Sequence, residues 1–199
     1  MRKRFLWLVV AVVVVVAVGT AAYHYYWVHR YDALIARAAS VYQLDPALVR
    51  SVVHQESYFN PHASSRAGAR GLMQVTLPVV VEWRRERANS RMPRDVRRRA
   101  SELTTPEEML EDPEVNLHIG SWYLAKMLAR FEEEPDALAV ALAAYNAGPT
   151  NAERWLATVP ASARTKSTRA QKFLEAIDYP ETQRYVAEVT ERYETSRSR

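Results

Sequence analysis

A glutamate occupies a position that helical spacing assigns to a buried side chain. Glu56 follows Val52 by four residues and Val49 by seven, on a predicted helix whose apolar stripe also includes Leu48 and Val53. Burial raises the pKa of a carboxyl group, and the negative end of the helix dipole, near which Glu56 lies, acts in the same direction. Both effects help to keep a proton on the carboxyl near neutral pH, as a general acid requires.

The same spacing fits a structural role for Glu56. A charged residue on a core-facing stripe is tolerated when an opposite charge neutralises it, and Arg50 and Arg66 are near in sequence. The spacing alone therefore leaves two hypotheses open, a catalytic acid and a structural ion pair.

Five short sequence blocks, in order over about residues 32–193, resemble the motifs of the soluble lytic transglycosylases. This family is glycoside hydrolase family 23, which is related to goose-type lysozyme. The blocks include the Glu-Ser pair at 56–57, a Gly-Leu-Met-Gln run and an Ala-Tyr-Asn-Ala-Gly-Pro run. They span residues 54–61, 63–74, 112–124, 144–155 and 181–186. A lone Glu-Ser pair has no specificity, whereas five ordered blocks strongly indicate the family.

The resemblance implies an all-α, lysozyme-like fold and a peptidoglycan substrate of alternating N-acetylmuramic acid and N-acetylglucosamine. Glu56 would protonate the bridging oxygen after muramic acid, and the resulting carboxylate would take a proton from the 6-hydroxyl of that sugar. The 6-oxygen would then close onto the anomeric carbon and give a 1,6-anhydro product without consuming water. One carboxylate suffices in such a reaction because a group on the sugar replaces the second one.

The resemblance also assigns three polar residues to the site. Tyr145 would hydrogen-bond and orient the acid, Gln74 would bind an N-acetyl group, and Ser65 would contact the acid or the sugar.

Three further residues follow from the same blocks. Met73 would line the saccharide groove, and Asn146 would hold the motif loop or touch the sugar. Glu181 would lie near the site or form a structural pair with an arginine. Thr76 departs from the family pattern, in which a hydrophobic residue, often methionine, stands after the glutamine, and this bears on one sugar subsite.

Two alternative functions use the same residues. A hydrolytic muramidase on this fold would differ only in the access of water, and a non-catalytic wall-binding module of an envelope complex would need no acid. The intact Glu56, Gln74 and Tyr145 argue against the second alternative. We predict no cofactor and no metal site, because the histidines lack ligand-like spacing and cysteine is absent. Nucleic acid is disfavoured as a partner of an exported chain, and the sequence indicates no protein partner.

The N-terminus predicts a membrane anchor. A basic start, residues 1–4, precedes an uncharged apolar run over residues 5–22 and an aromatic cluster at 23–27. The positive residues predict a cytoplasmic N-terminus, so a single-pass anchor in the bacterial inner membrane would place the remaining chain in the periplasm. The alternative is a signal peptide cleaved near residues 20–22. We divide the chain into an anchor (1–28), a catalytic domain (29–195) and a polar tail (196–199).

The exported part is predicted to be one all-helical domain, since no stretch alternates convincingly enough for a sheet. Capping residues, prolines and apolar periodicity define its helices, and residues 150–153 show capping-box spacing. The predicted helices cover residues 32–43, 46–57, 78–83, 113–131, 137–147, 150–156 and 180–193.

Eight arginines lie between the second and third blocks. Three hypotheses fit this run: a solvated basic face, a lip of the groove that attracts the carboxylates of peptide stems, and a surface that docks on anionic lipid. The residues are Arg84, Arg85, Arg87, Arg91, Arg94, Arg97, Arg98 and Arg99.

Overall fold

The structure, a computed structural model, describes residues 2–86, 93–160 and 166–198, and the chain divides into two compact units, Met1–Ala33 and Leu34–Arg199. The described residues form helices joined by loops and contain no named strand, which confirms the predicted all-α class. In chain order, the helices are α1 (Arg2–His29), α2 (Asp32–Val41), α3 (Pro46–Ser57), α4 (Leu77–Glu86), α5 (Arg94–Glu102), α6 (Pro106–Glu111), α7 (Pro113–Arg130), α8 (Ala137–Ala147), α9 (Pro149–Thr158), α10 (Lys166–Ala176) and α11 (Pro180–Arg197).

The first unit consists mainly of the apolar helix α1. None of its side chains is buried, and the described chain has one helical stretch, at the N-terminus, that is long and apolar enough to cross a membrane. The predicted apolar run over residues 5–22 lies inside α1, and the helix continues through the aromatic cluster at 23–27. Retention or cleavage of this segment stays a prediction.

Aspartate-proline pairs start two helices of the second unit. The Asp45 side chain accepts a hydrogen bond from the backbone N–H of Ala47, at 2.9 Å, and Pro46 is the first residue of α3. Asp112 accepts in the same way from two backbone N–H groups at the start of α7. Both starts are as predicted, because the side chain satisfies donors that a helix leaves unpaired and proline has no N–H to lose.

The alanine-rich helix α8 lies in the core of the second unit and packs against α7, α9 and α11. Its residues from Ala139 to Ala144 are buried, since small side chains let neighbouring helices approach closely. Helix α11 also packs against α3. The last turns of α3 and α8 and the first turn of α11 line one cavity of the unit.

Three helices, α5, α6 and α10, have no counterpart in the sequence prediction. Each buries few apolar side chains, so none shows a long apolar stripe. Helix α5 buries only Val96 and Ala100 among its arginines. Helix α6 has six residues and starts with a capping box between Thr105 and Glu108, and both halves of that box are formed.

Several predicted helix ends differ from those in the structure, and helix α4 for example ends at Glu86 instead of residue 83. Helix α9 begins at Pro149 after Gly148 without a side-chain cap, so the predicted capping box between Thr150 and Glu153 is not formed, and Glu153 pairs with Arg130 instead. Helix α11 continues to Arg197, beyond the predicted end at residue 193 and into the segment predicted as a tail.

Candidate active site

Glu56 lies in the last turn of α3, on the side of the helix that faces the core. Val49, Val52 and Val53 on the same side are fully buried, as the predicted stripe requires. The glutamate is one of the residues that line a cavity of about 510 Å³, whose walls come from α3, the loop after α3, α8 and α11. The apolar stripe therefore brings this carboxyl to a cavity instead of to bulk solvent.

Burial raises the pKa of Glu56 to about 7, and the nearby hydroxyl of Tyr185 offsets part of that effect. The carboxyl is enclosed by protein on nearly all sides and keeps some accessible surface at the cavity. Glu56 forms no ion pair with any described residue, and Arg50 instead lies over the ring of Phe59, at 4.7 Å. The structural ion pair that the spacing left open is not formed in the described part of the chain.

Two tyrosines adjoin the Glu56 carboxyl. The hydroxyl of Tyr145 donates to the backbone carbonyl of Met73, at 2.8 Å, so the predicted hydrogen bond from Tyr145 to the acid is not present. Tyr185, which the sequence did not single out for this role, is almost fully buried on α11. Its hydroxyl lies close enough to the carboxyl to lower the pKa of Glu56, although no hydrogen bond of ordinary geometry joins it to a described residue.

The loop between α3 and α4 is held by one buried side chain, Asn116 of α7. Its amide oxygen accepts from the N–H of Met73, and its amide nitrogen donates to the carbonyls of Arg70 and Leu110, each at 2.9 Å. Gly71 adopts a φ of 79°, and a Cβ there would lie 2.3 Å from the Asn116 amide. The loop can therefore approach Asn116 only with glycine at this position.

Six residues predicted for the site meet in the cavity around Glu56: Glu56 itself, Ser65, Gln74, Tyr145, Asn146 and Glu181. They come from three segments that are distant in sequence, which supports the idea that the motif blocks form a single site.

Met73 is the exception, and its predicted place in the groove is wrong. Its side chain is fully buried, with the sulfur 3.8 Å from the hydroxyl of Ser121. A Cβ at Gly120 would lie 2.5 Å from this sulfur, so the absent side chain of that glycine provides the space. Met73 contributes to the site through its backbone carbonyl, which accepts from Tyr145.

Polar side chains on the cavity wall are held by local hydrogen bonds. The amide nitrogen of Gln74 donates to the carbonyls of Ala63, at 3.0 Å, and Gly71, at 3.1 Å. The Ser65 hydroxyl accepts from the N–H of Ala69, at 3.1 Å. These bonds fix the positions of the two side chains before any ligand is present.

The ends of α8 and α11 are joined at the cavity by one hydrogen bond. The buried Thr182 hydroxyl donates to the amide oxygen of Asn146, at 2.8 Å. Glu181, the preceding residue, is exposed at the cavity and forms no ion pair with any described residue, so the structural pair with an arginine is not seen.

A second cavity, of about 220 Å³, shares four wall residues with the first: Gln74, Thr76, Tyr145 and Asn146. Val79 of α4 and Tyr123 of α7 are among the residues that line its remaining part. The two cavities therefore form neighbouring parts of one depression, with Gln74 and Tyr145 at their common border.

The described arginines of the basic run lie away from both cavities. Arg99 pairs with Asp112 at the start of α7, at 2.5 Å, and Arg98 is 3.9 Å from Glu102. Arg87 and Arg91 lie outside the described residues. The described part of the run gives no support to a lip of the groove, and the other two hypotheses for it stay predictions.

The family model and the similar proteins all point to the same protein family. Residues 33–168 match the family model described as transglycosylase SLT domain. The chain is 31% identical over 122 residues to membrane-bound lytic murein transglycosylase F of Hahella chejuensis, covering 60% of this chain and 20% of that protein. It is 29% identical over 163 residues to soluble lytic murein transglycosylase of Escherichia coli, covering 80% of this chain and 22% of that protein.

A solved structure shows the same fold. An inactive mutant of the lytic transglycosylase Slt from Pseudomonas aeruginosa superposes with a TM-score of 0.66 at 26% identity, covering 84% of this chain and 24% of that chain. This likeness confirms the predicted fold class. The chain thus spans about a fifth to a quarter of the length of these three proteins.

Proposed function

The chain belongs to the family of transglycosylase SLT domains, and from this premise we propose that it cleaves peptidoglycan glycan strands as a lytic transglycosylase. The relatives are named lytic murein transglycosylases, and an enclosed carboxyl at a cavity supports the same activity in this chain. The observation that carries the proposal is the Glu56 carboxyl, which is enclosed at a cavity without an ion-pair partner among the described residues and has a pKa near 7.

Glu56 first acts as a general acid. Its proton goes to the oxygen that links N-acetylmuramic acid to N-acetylglucosamine, and the bond from the anomeric carbon to that oxygen breaks. The N-acetylglucosamine side leaves with a hydroxyl group, and positive charge develops at the anomeric carbon of muramic acid. A pKa near 7 lets the group hold this proton in neutral solution and still release it in the transition state.

The Glu56 carboxylate then acts as a general base. It takes the proton of the 6-hydroxyl of the muramic acid, and the 6-oxygen forms a bond to the anomeric carbon of the same sugar. The product is a 1,6-anhydro end, and Glu56 is protonated again. The reaction consumes no water. The sugar supplies the nucleophile, so no second carboxylate is needed.

The polar residues of the cavity wall fit the binding of an aminosugar. Because the Gln74 amide nitrogen is used by loop carbonyls, its oxygen is the atom that accepts from the N–H of an acetamido group. Ser65 and Asn146 contact sugar hydroxyls, and Tyr145 and Tyr185 confine the carboxyl of Glu56. These roles assume that the glycan strand lies along the two joined cavities.

One observation favours a second candidate function, hydrolysis by a muramidase. Glu181 lies on the wall of the same cavity as Glu56 and has no ion-pair partner among the described residues. A second carboxylate at a glycan site is what an ordinary glycosidase uses to activate water or to attack the sugar.

The mass of the products distinguishes the two functions. Purified peptidoglycan digested by the full chain in detergent is expected to give muramic acid ends that are lighter by one water molecule than reducing ends. Mass spectrometry of the soluble fragments measures this directly. Reducing ends as the main product would reject the transglycosylase reaction and support the muramidase.

We also propose that α1 attaches the enzyme to the inner membrane. Its basic first residues favour a cytoplasmic N-terminus, which places the SLT domain in the periplasm beside its polymeric substrate. In this arrangement residues 1–28 are the anchor and residues 29–195 the catalytic domain.

A further inference from the structure

A single carboxylate, Asp178, holds the loop between α10 and α11. It accepts two hydrogen bonds from the guanidinium of Arg154, at 2.7 and 2.8 Å, and a third from the indole N–H of Trp155, at 2.7 Å. The Arg154 hydrogen bond and then the Trp155 hydrogen bond lower the pKa of Asp178 to about 2, so the carboxylate is ionised at any physiological pH. A bidentate arginine–carboxylate contact fixes the orientation of the carboxylate as well as its distance from the guanidinium.

The next residue along the chain, Tyr179, lies on the wall of the Glu56 cavity. The ring of Trp155 meets the ring of Tyr179 edge-on, with centroids 5.4 Å apart and planes at 86°. The guanidinium of Arg154 lies 5.8 Å from the centre of the same ring. The two residues that bind Asp178 thus also contact the tyrosine ring.

Tyr179 nevertheless keeps 39% of its surface exposed. A ligand that covers the exposed part of this ring would remove apolar surface from water, which favours binding. Pyranose rings present flat C–H faces that pack against aromatic rings, while their hydroxyl groups require polar partners at the edge. Glu181 and Thr182, two and three positions after Tyr179, line the same cavity and so provide polar groups near the ring.

We propose that Tyr179 is a sugar-binding residue of the cleavage site and that Asp178, Arg154 and Trp155 are its positioning residues. Its ring packs against a pyranose of the glycan strand bound beside Glu56. The three hydrogen bonds to Asp178 hold the loop so that this surface is formed before the substrate arrives, which lowers the entropic cost of binding. This inference rests on the proposed function, since it assumes that the cavity binds aminosugar polymer.

Binding is measured with the full chain in detergent, carrying Glu56→Gln to prevent cleavage, and with the tetramer of N-acetylglucosamine as the probe in calorimetry. Tyr179→Ala is expected to raise Kd about tenfold, which is at the upper end for an aromatic contact. Tyr179→Leu keeps apolar volume but no aromatic ring, and it is expected to raise Kd nearly as much. Tyr179→Phe keeps the ring, and its Kd is expected to stay within about twofold of that of Tyr179. Leu77→Ala removes an equally exposed apolar side chain outside both cavities and serves as the control.

Unchanged binding by both Tyr179→Ala and Tyr179→Leu overturns the proposal.

The positioning role is tested by steady-state cleavage with active Glu56. Asp178→Asn keeps the shape but not the charge, and it is expected to raise KM about fivefold while kcat changes less than twofold. Combined with Tyr179→Ala, it is expected to add nothing, because both changes remove the same surface. Independent, multiplying effects would show that Asp178 does not act through Tyr179. Full activity of Glu56→Gln would instead refute the proposed function, whatever the binding data show.

Discussion

Glu56→Gln is expected to lower the rate of peptidoglycan cleavage by about a thousandfold or more, with the fold retained. Glutamine has nearly the shape of a protonated glutamate, so the cavity keeps its geometry. Its amide does not transfer a proton to the bridging oxygen, and the mechanism contains no other group placed to do so. The measurement is the release of soluble fragments from purified cell walls by the full chain in detergent.

Two further glutamine variants make the comparison specific. Glu175→Gln changes an exposed glutamate of α10 that pairs with Lys172, and it is expected to leave the rate unchanged. Glu181→Gln is expected to cost less than about tenfold, because a sugar hydroxyl replaces the second carboxylate. Equal losses for Glu56→Gln and Glu181→Gln would contradict a single acid and base.

The Glu56 variant is also expected to change stability in a pH-dependent way. The pKa of Glu56 rises from 4.5 to about 7 on folding because the carboxyl is desolvated. The folded protein therefore holds the proton more tightly, and stability falls as pH rises through that window. At pH 8 the glutamine variant, which has no charge to bury, should be more stable than the wild type, by at most about 3 kcal/mol. The melting temperature of the variant minus that of the wild type is expected to be larger at pH 8 than at pH 5.

Asn116→Ala is expected to destabilise the protein by about 3–5 kcal/mol. The substitution leaves the N–H of Met73 and the carbonyls of Arg70 and Leu110 without the partner that all three share, and it leaves a small void beside Gly71. Because the same amide holds the loop that carries Ser65 and Gln74, cleavage should also fall in the fraction that remains folded. Chemical denaturation and cleavage rates at a temperature below the transition measure the two effects.

Asn151→Ala is the matched control for this prediction. Asn151 also donates from its side-chain amide to a backbone carbonyl, that of Ala147, but at the half-buried start of α9 and through one hydrogen bond. Loss of this hydrogen bond should lower the free energy of unfolding by about 1 kcal/mol or less. Similar losses of stability for the two variants would show that Asn116 has no special part in holding the loop.

The sequence predicted the parts of the site that local periodicity determines. The stripe on α3 placed Glu56 on the core side, because residues four and seven apart share a helix face whatever the tertiary structure. The family resemblance then identified five further residues that line the cavity, from segments that only the fold brings together. The resemblance was needed because spacing alone favoured a structural ion pair over a catalytic acid.

The remaining features depend on contacts between distant segments. Asn116 contacts Met73 across 43 positions of sequence, and Tyr145 contacts it across 72. The position of Met73 in the core depends on the absence of a side chain at Gly120, which no local pattern reveals. Tyr185 shows no distinctive spacing either, since its role arises from the packing of α11 against α3. Such roles became visible only in the assembled structure.

In the proposed mechanism one carboxyl, protonated in the free enzyme near neutral pH, performs both proton transfers. The pH dependence of kcat/KM for soluble glycan strands is the decisive measurement of this mechanism, because kcat/KM reports the ionisation of the free enzyme. We expect kcat/KM to fall in a single limb with a midpoint near 7, the pKa of Glu56, and we expect the residual rate of Glu56→Gln to lack this limb. A rate that rises between about pH 6 and pH 8 would contradict it, because cleavage would then begin from ionised Glu56.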